Sequence, residues 1–128
     1  MTDLVAGLSA RLHFVVGDAD VATALGSGDV PVLGTPRLLA WLEAATVAAV
    51  TDALADGETT VGTGVALEHA AATPVGAVLD VSAELVAVNG RSLTFEASAM
   101  HDDGRRVGTA RITRVLVDRS RFLARVVS

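Results

Sequence analysis

The stretch Pro36–Ala55 is predicted to form a helix, and apolar residues occupy nearly every face of that helix. Thr35 offers a capping hydroxyl at its start, proline suits the first helical position, and Gly57 is a stop signal. A helix that is apolar all round is expected to be buried. The pattern therefore predicts one long helix at the centre of the core.

Elsewhere the apolar positions recur with a period of two, which predicts strands. Five strands are expected, at Leu8–Val16, Thr59–Ala72, Ala77–Val88, Arg91–His101 and Arg105–Asp118. The last four follow one another through tight turns, including the hairpin signal Asn89-Gly90, so they are expected to pair antiparallel. Gly17–Gly34 is expected to be a loop with at most one short helical turn, and no element is assigned to the tail Arg119–Ser128.

A curved antiparallel sheet wrapped around one helix covers both apolar surfaces, which is an α+β architecture. The 128 residues are expected to form a single domain, residues 1–128. A sheet this small has exposed edge strands, and pairing two sheets edge to edge would remove one edge from each copy. We therefore expect a homodimer, and a higher oligomer stays open.

Composition narrows the classes of function. A net charge of -5 argues against a nucleic-acid-binding protein. The absence of cysteine excludes disulfides and thiolate nucleophiles, and the histidines are too scattered for a metal site. Met1–Leu4 lacks the basic start of a signal peptide, and charges at Arg37, Glu43 and Asp52 argue against a membrane span. We expect a cytoplasmic protein with no metal, nucleic-acid or membrane partner.

Glu43 lies within the apolar stretch, where a carboxylate is costly unless it is paired or functional. His69 lies on the predicted strand Thr59–Ala72, where alternation puts it on the same face as Val65 and Leu67. The ring of His69 is therefore expected to point toward the helix. A carboxylate beside an imidazole orients the ring, and such a pair can accept a proton from water or a hydroxyl. The alternative is a core histidine that is bonded to the backbone.

Thr35 lies at the helix entrance, where free backbone amides can hold a developing oxyanion. The alternative is that Thr35 is a plain N-cap. If both residues are helical, Thr35 and Glu43 lie about 12 Å apart along the axis. They would then meet through the substrate or across a dimer interface, unless Thr35 belongs to a loop that folds back.

Other residues have weaker cases. Gly62 and Gly64 could allow a ligand close to the backbone or could form a bulge, and the bulge is favoured at Gly64. His13 and His101 are expected at the surface or at strand ends. Four arginines could bind phosphates, although a solvated strand face is the plainer interpretation of each: Arg105, Arg106, Arg111 and Arg114.

The run from Leu67 to Gly76, followed by Val81–Leu85, resembles the hot-dog-fold thioesterases of the fluoroacetyl-CoA thioesterase type. The shared pattern is a histidine, small residues, Ala-Thr-Pro and a glycine, and then a strand ending in Ser-Ala-Glu-Leu. The similarity covers most of the chain. Four positions match the spacing of that family's functional residues: Thr35, Glu43, Gly62 and His69.

This resemblance implies a hot-dog homodimer that hydrolyses a small acyl-CoA thioester to free acid and coenzyme A. Coenzyme A would be part of the substrate, and no cofactor is implied. The implied catalytic set is Thr35, Glu43 and His69, with Gly62 close to the thioester. The loop Gly26–Gly34 lacks the Phe residues of the fluoroacetyl enzyme's lid, so a general short-chain or aryl acyl group is expected.

Two alternatives stay open at this point. One is a non-catalytic hot-dog protein that binds acyl-CoA or another small apolar ligand. The other is a hot-dog hydratase or dehydratase that acts on acyl thioesters.

Overall fold

The computed structural model of the protein describes residues 3–126. The strands are β1 (Ser9–Val15), β2 (Glu58–His69), β3 (Val78–Asn89), β4 (Ser92–His101) and β5 (Arg106–Asp118). The helices are α1 (Ala22–Leu25), α2 (Thr35–Val50) and α3 (Arg119–Val126), with short 3-10 turns at Asp18–Asp20 and Thr51–Ala53. The five strands and the long helix lie where the hydrophobic pattern predicts them, with small shifts at their ends. Of the unassigned tail, residues 119–126 form α3, and 127–128 lie outside the described residues.

The strands form one antiparallel sheet in the order β1-β3-β4-β5-β2. The Asn89-Gly90 hairpin between β3 and β4 is confirmed, and Gly90 adopts the left-handed conformation that such a turn requires. The expected pairing of β2 with β3 through the Thr73–Gly76 turn is wrong, because β2 pairs with β5. The chain leaves the sheet after β2, where the amides of Ala70 and Ala71 bond to the Val107 carbonyl.

One face of the sheet is apolar and packs against α2. Alternation in β3 and β4 places the aliphatic and aromatic residues inward and the polar residues outward, as predicted. The residues of these two strands that are buried in the core are Leu79, Val81, Ala83, Leu85, Leu93, Phe95, Ala97 and Ala99. Strands β1 and β2 form the two edges of the sheet, and within residues 3–126 no further strand pairs with the outer side of either.

Helix α2 lies across β3 and β1 and has few contacts with β2. Its inward side buries Leu38, Trp41, Leu42, Ala45, Thr46, Ala49 and Val50. The expectation that the helix is buried all round is wrong, because Ala40 and Ala48 are exposed and Val47 keeps 43% of its surface. The sheet covers only one side of α2, so the opposite side, which carries these apolar residues, stays open.

The start of α2 also differs from the prediction. The N-cap is Gly34, which has extended dihedral angles, and Thr35 is the first helical residue. Gly34 is buried against α1, where a Cβ atom would lie 2.9 Å from Leu25 Cδ1. Because the backbone of Gly34 occupies the cap position, the Thr35 hydroxyl is free to bond elsewhere.

Residues 17–34 contain more structure than a loop with one helical turn, since a 3-10 turn and α1 both form there. An isolated bridge joins Val21 to Leu33, and the Gly34 amide donates to the Asp20 carbonyl. Both ends of this segment, which we call the lid, are therefore fixed beside the start of α2. No helix within residues 3–126 combines the length and apolar character needed to cross a membrane.

Candidate active site

Thr35 and His69 are hydrogen-bonded at the entrance of α2. The Thr35 Oγ1 atom lies 2.8 Å from His69 Nδ1. His69 is the last residue of β2, and the turn that follows it brings the ring to the first residue of the helix. The fold thus joins two of the predicted site residues, which are 34 positions apart in sequence.

The environment of His69 favours a neutral ring. Burial lowers the pKa of His69 below its ordinary value, and a hydrogen bond with the backbone of Ala71 opposes this effect in part. The Nε2 atom is buried and has no hydrogen-bond partner among the described residues. In the tautomer whose Nδ1 is unprotonated, the Thr35 hydroxyl donates to the ring. A neutral imidazole in this position can take a proton from the hydroxyl.

Glu43 bonds to Arg114 instead of His69. The Arg114 guanidinium donates from Nη1 to Glu43 Oε2 over 3.2 Å, and it also donates to the side chain and the carbonyl of Thr60. Arg114 is 7% exposed, whereas the Glu43 side chain is 35% exposed and faces the open side of α2. Arg114 fixes one carboxylate oxygen of Glu43 and leaves the group accessible.

The interpretation of Arg114 as part of a solvated strand face is therefore wrong. The sequence contained a signal for its burial, since Arg114 follows Ala110 and Ile112 and precedes Leu116 in the inward register of β5. An arginine in such a row needs an anionic or carbonyl partner. Glu43 and the Thr60 carbonyl are those partners.

Within one chain, the expected contact between Glu43 and His69 does not form. Thr35 and Glu43 are eight positions apart on α2, so the two side chains start about 12 Å apart along the axis. On β2, the seven steps from Gly62 to His69 span about 23 Å. We call Thr35 with His69 the first half-site, and Glu43 with Gly62 and Arg114 the second half-site. One chain carries both, at separate places.

Gly62 allows the close approach of β2 to Glu43. A Cβ atom at Gly62 would lie 2.8 Å from Glu43 Oε2 and 3.5 Å from Arg114 Nη1. The register between β2 and β5 shifts between Gly62 and Gly64, so the predicted bulge at Gly64 is confirmed. Beyond the bulge, Val65 pairs with Ile112 and Leu67 with Ala110, so the two side chains lie on the same face of β2. Leu67 packs against the core, whereas Val65 keeps 44% of its surface.

The helix entrance offers fewer free amides than expected. The amides of Arg37 and Leu38 both donate to the Gly34 carbonyl, and Pro36 has no N–H group. Among the described residues at this entrance, the Thr35 amide has no hydrogen-bond partner. One backbone donor therefore remains there for an oxyanion.

A cavity of about 360 Å³ adjoins the first half-site. Thr35 and His69 form part of its wall, and the lid covers the opposite side. The remaining lining residues are Ala22, Ser27, Gly28, Asp29, Val30, Val32, Leu33, Gly34, Ala70, Ala71 and Ala72. The threonine–histidine pair thus faces a space that can hold a small group.

Other candidates lie away from both half-sites. His13 is exposed and pairs with Asp80, as expected for a surface residue. The expectation for His101 is a place at the surface or at a strand end. His101 is the last residue of β4, and it is buried because it continues the inward alternation of that strand. Its Nε2 atom lies 3.5 Å from Thr73 Oγ1. No group of three or more metal-ligating side chains occurs within residues 3–126.

Comparison with known proteins identifies the family of the chain. The family described as FlK, fluoroacetyl-CoA-specific thioesterase, matches residues 16–120. The fluoroacetyl-CoA thioesterase of Streptantibioticus cattleyicolor is 36% identical over 95 residues, which are 74% of this chain and 68% of that protein.

Solved structures support the same assignment. A structure of the fluoroacetyl-CoA thioesterase FlK superposes with a TM-score of 0.88 at 29% identity, over 96% of this chain and 95% of that chain. A hot-dog-like protein from Thermanaerovibrio acidaminovorans superposes with a TM-score of 0.85 at 20% identity, over 94% and 89% of the two chains, a likeness of fold alone. The predicted α+β hot-dog fold is confirmed. The chain belongs to the fluoroacetyl-CoA-specific thioesterase family.

Proposed function

We propose that this protein is a thioesterase that hydrolyses a small acyl-CoA to the free acid and coenzyme A. The observation that carries the proposal is the 2.8 Å contact between Thr35 Oγ1 and His69 Nδ1 in the wall of a cavity beside the lid. A hydroxyl bonded to a neutral imidazole is the arrangement that nucleophilic acyl transfer requires. Family membership supports a thioester as the substrate.

In the reaction, His69 accepts a proton from the attacking hydroxyl as the new C–O bond forms. The attacking group is the Thr35 hydroxyl or a water molecule held by it. The C–S bond then breaks, and coenzyme A leaves as a thiolate that takes up the proton held by His69. The Thr35 amide is a donor for the oxyanion that forms between these two steps. Attack by water gives the free acid directly. Attack by Thr35 gives an acyl ester on Oγ1, which a water molecule hydrolyses while His69 takes the water proton and returns it to the Thr35 oxygen. No cofactor is needed, since coenzyme A is part of the substrate.

Glu43 acts on the opposite side of the reacting carbon. Its carboxylate is held by Arg114 and remains open to the space beside α2. A fixed and ionised carboxylate can orient and polarise a water molecule or attack the thioester itself. Gly62 lets the reacting group approach this carboxylate, because any side chain at that position would occupy the space.

A homodimer brings the two half-sites together. Strand β2 is an edge strand with an exposed segment at residues 62–66, and Val65 keeps 44% of its surface. Val47 on the open side of α2 is also exposed. An edge strand with apolar side chains beside an uncovered helix face is suited to pairing with a second copy.

The positions along β2 suit such a dimer. The β2 strands of two copies can pair antiparallel about a two-fold axis that passes between Val65 and Ala66. Gly62 of each copy then lies opposite His69 of the other copy. Each complete site then takes the first half-site from one subunit and the second half-site from its partner. The 12 Å separation along α2 supports a shared site, because one subunit cannot close that distance.

The test measures thiol release from a panel of short acyl-CoA substrates. We expect turnover in the wild-type protein and its loss in His69→Ala and Glu43→Gln. His13→Ala is the matched control, since His13 is exposed and remote from both half-sites, and it keeps full activity. Binding of acyl-CoA without thiol release, or consumption of an enoyl-CoA without thiol release, contradicts the proposal. A cytoplasmic location belongs to the same proposal, since acyl-CoA is made and used there.

A further inference from the structure

The lid side of the cavity differs in chemistry from the side that carries Thr35 and His69. Residues from Ala22 to Gly34 form this side, and none of them is aromatic. The alanine and valine side chains among them are small. Two polar side chains, Ser27 and Asp29, are added to this apolar surface.

The lid is fixed at its base, so the position of its tip is defined. The Ala22 amide donates to the Val32 carbonyl, and the Leu33 amide donates to the Thr73 carbonyl. An ion pair joins Arg37 on α2 to Asp20 over 2.9 Å. These contacts close the lid into a loop whose tip, around Asp29, lies across the cavity from the catalytic pair.

Asp29 has no hydrogen bond and no ion pair with any group in residues 3–126, and the same is true of the Ser27 hydroxyl. No lysine or arginine lines the cavity. The exposed Asp29 carboxylate is therefore a negative charge that lines the cavity and has no ion-pair partner within residues 3–126. Of the other acidic residues of the lid, Asp20 is paired with Arg37, and Asp18 does not line the cavity.

We propose that Asp29 makes this enzyme selective for short acyl groups that carry a cationic amine, and that it disfavours acyl groups that carry a carboxylate. This inference rests on the proposed thioesterase function. The alanine and valine side chains contact the methylene part of the acyl chain, and the carboxylate pairs with the terminal ammonium. Asp29 is a specificity residue and takes no part in bond breaking.

The size of the cavity sets the length of the acyl chain. A volume of about 360 Å³ is near the lower end of the range for small-molecule pockets. It has room for an acyl chain of a few heavy atoms beside Thr35 and His69. Because Asp29 lines the same cavity, a charge at the end of such a chain lies within its reach.

The test compares three substrates that differ in the charge at the fourth position of the acyl chain: β-alanyl-CoA (cationic), butyryl-CoA (neutral) and succinyl-CoA (anionic). We expect kcat/KM to fall in that order in the wild-type protein. The variant Asp29→Asn removes the charge with little change of shape. We expect it to lower kcat/KM for β-alanyl-CoA and to raise it for succinyl-CoA, each by about two- to five-fold, the range of an exposed ion pair.

Two controls accompany this comparison. Asp18→Asn removes an exposed carboxylate of the lid that does not line the cavity, and we expect it to leave the three rates unchanged. Raising the salt concentration reduces the preference for β-alanyl-CoA in the wild-type protein, because added ions screen exposed charges.

The outcomes separate this inference from the function on which it rests. Equal changes for all three substrates in Asp29→Asn would mean that Asp29 contacts coenzyme A, which overturns the inference and leaves the thioesterase function intact. Unchanged rates would do the same. If none of the acyl-CoA substrates releases thiol, the proposed function fails and the inference fails with it.

Discussion

Replacing Gly62 by alanine tests whether the close approach of β2 to Glu43 is needed for catalysis. The added methyl group would lie 2.8 Å from Glu43 Oε2, and ordinary van der Waals contact begins near 3.4 Å. The carboxylate must therefore retreat by about 0.6 Å, which weakens its bond to Arg114. Since a misplacement of about 1 Å in an active site can cost about 100-fold, we expect kcat/KM to fall by roughly ten-fold or more.

The same substitution has little effect on the fold. The atom that must move is the end of a flexible side chain that is 35% exposed, so the backbone can stay in place. Alanine also reduces the conformational freedom of the unfolded chain, which contributes about 0.4–1 kcal/mol of stability at a compatible position. We expect the free energy of unfolding to change by no more than about 1 kcal/mol.

Gly64→Ala is the matched control. Its Cβ atom would lie 2.9 Å from Thr113 Oγ1, which is an equally close contact on the same strand but does not involve Glu43. Thiol release and thermal unfolding are measured for both variants. We expect Gly64→Ala to keep most of its activity. The reasoning is refuted if Gly62→Ala is as active as the wild type, or if both variants lose activity in parallel with stability.

Three further predictions follow from the same geometry. Arg114→Met removes the three hydrogen bonds of a buried guanidinium and should destabilise the protein by about 2–4 kcal/mol in denaturant unfolding. We expect activity to fall at least ten-fold in the same variant. Arg111 is exposed, so the control Arg111→Met should change stability by less than about 0.5 kcal/mol. Because burial lowers the pKa of His69, wild-type activity should decline only below about pH 6.5. His69 should also cost stability as pH falls from that value toward its folded-state pKa. A loss of stability over this pH range that is unchanged in His69→Asn refutes the assignment. Val65→Arg adds a charge to the exposed edge of β2. We expect a folded monomer in analytical ultracentrifugation and no thiol release in the activity assay. An active dimer with this variant contradicts the proposed interface.

Most of the secondary structure could be predicted from sequence because each element carries a local signal. Period-two alternation and the Asn89-Gly90 turn define β3 and β4, and their inward faces are buried as predicted. The partner of β2 could not be predicted in this way. Its pairing with β5 depends on a connection that leaves the sheet after His69, and that connection resembles a tight turn in sequence.

The candidate site was predicted as a set of residues but not as a set of contacts. Thr35, Glu43, Gly62 and His69 were each singled out, and the structure brings them together in two separate groups. The partner of Glu43 was missed because an inward arginine in an apolar row was interpreted as solvent-facing. Facing positions at the helix–sheet boundary predict a direct contact between Glu43 and His69. His69 lies beside Thr35 at the start of α2, whereas Glu43 is eight positions further along the helix, so the two side chains do not meet.

The central claim is that His69 of one subunit and Glu43 of its partner act in the same site. Two inactive variants, His69→Ala and Glu43→Gln, can be unfolded together, refolded as a mixture and assayed for thiol release. If each site is shared, half of the randomly formed dimers contain one intact site of two, and the mixture should recover about a quarter of wild-type activity. If the mixture stays as inactive as its parents although mass spectrometry shows mixed dimers, the two residues do not share a site across the interface.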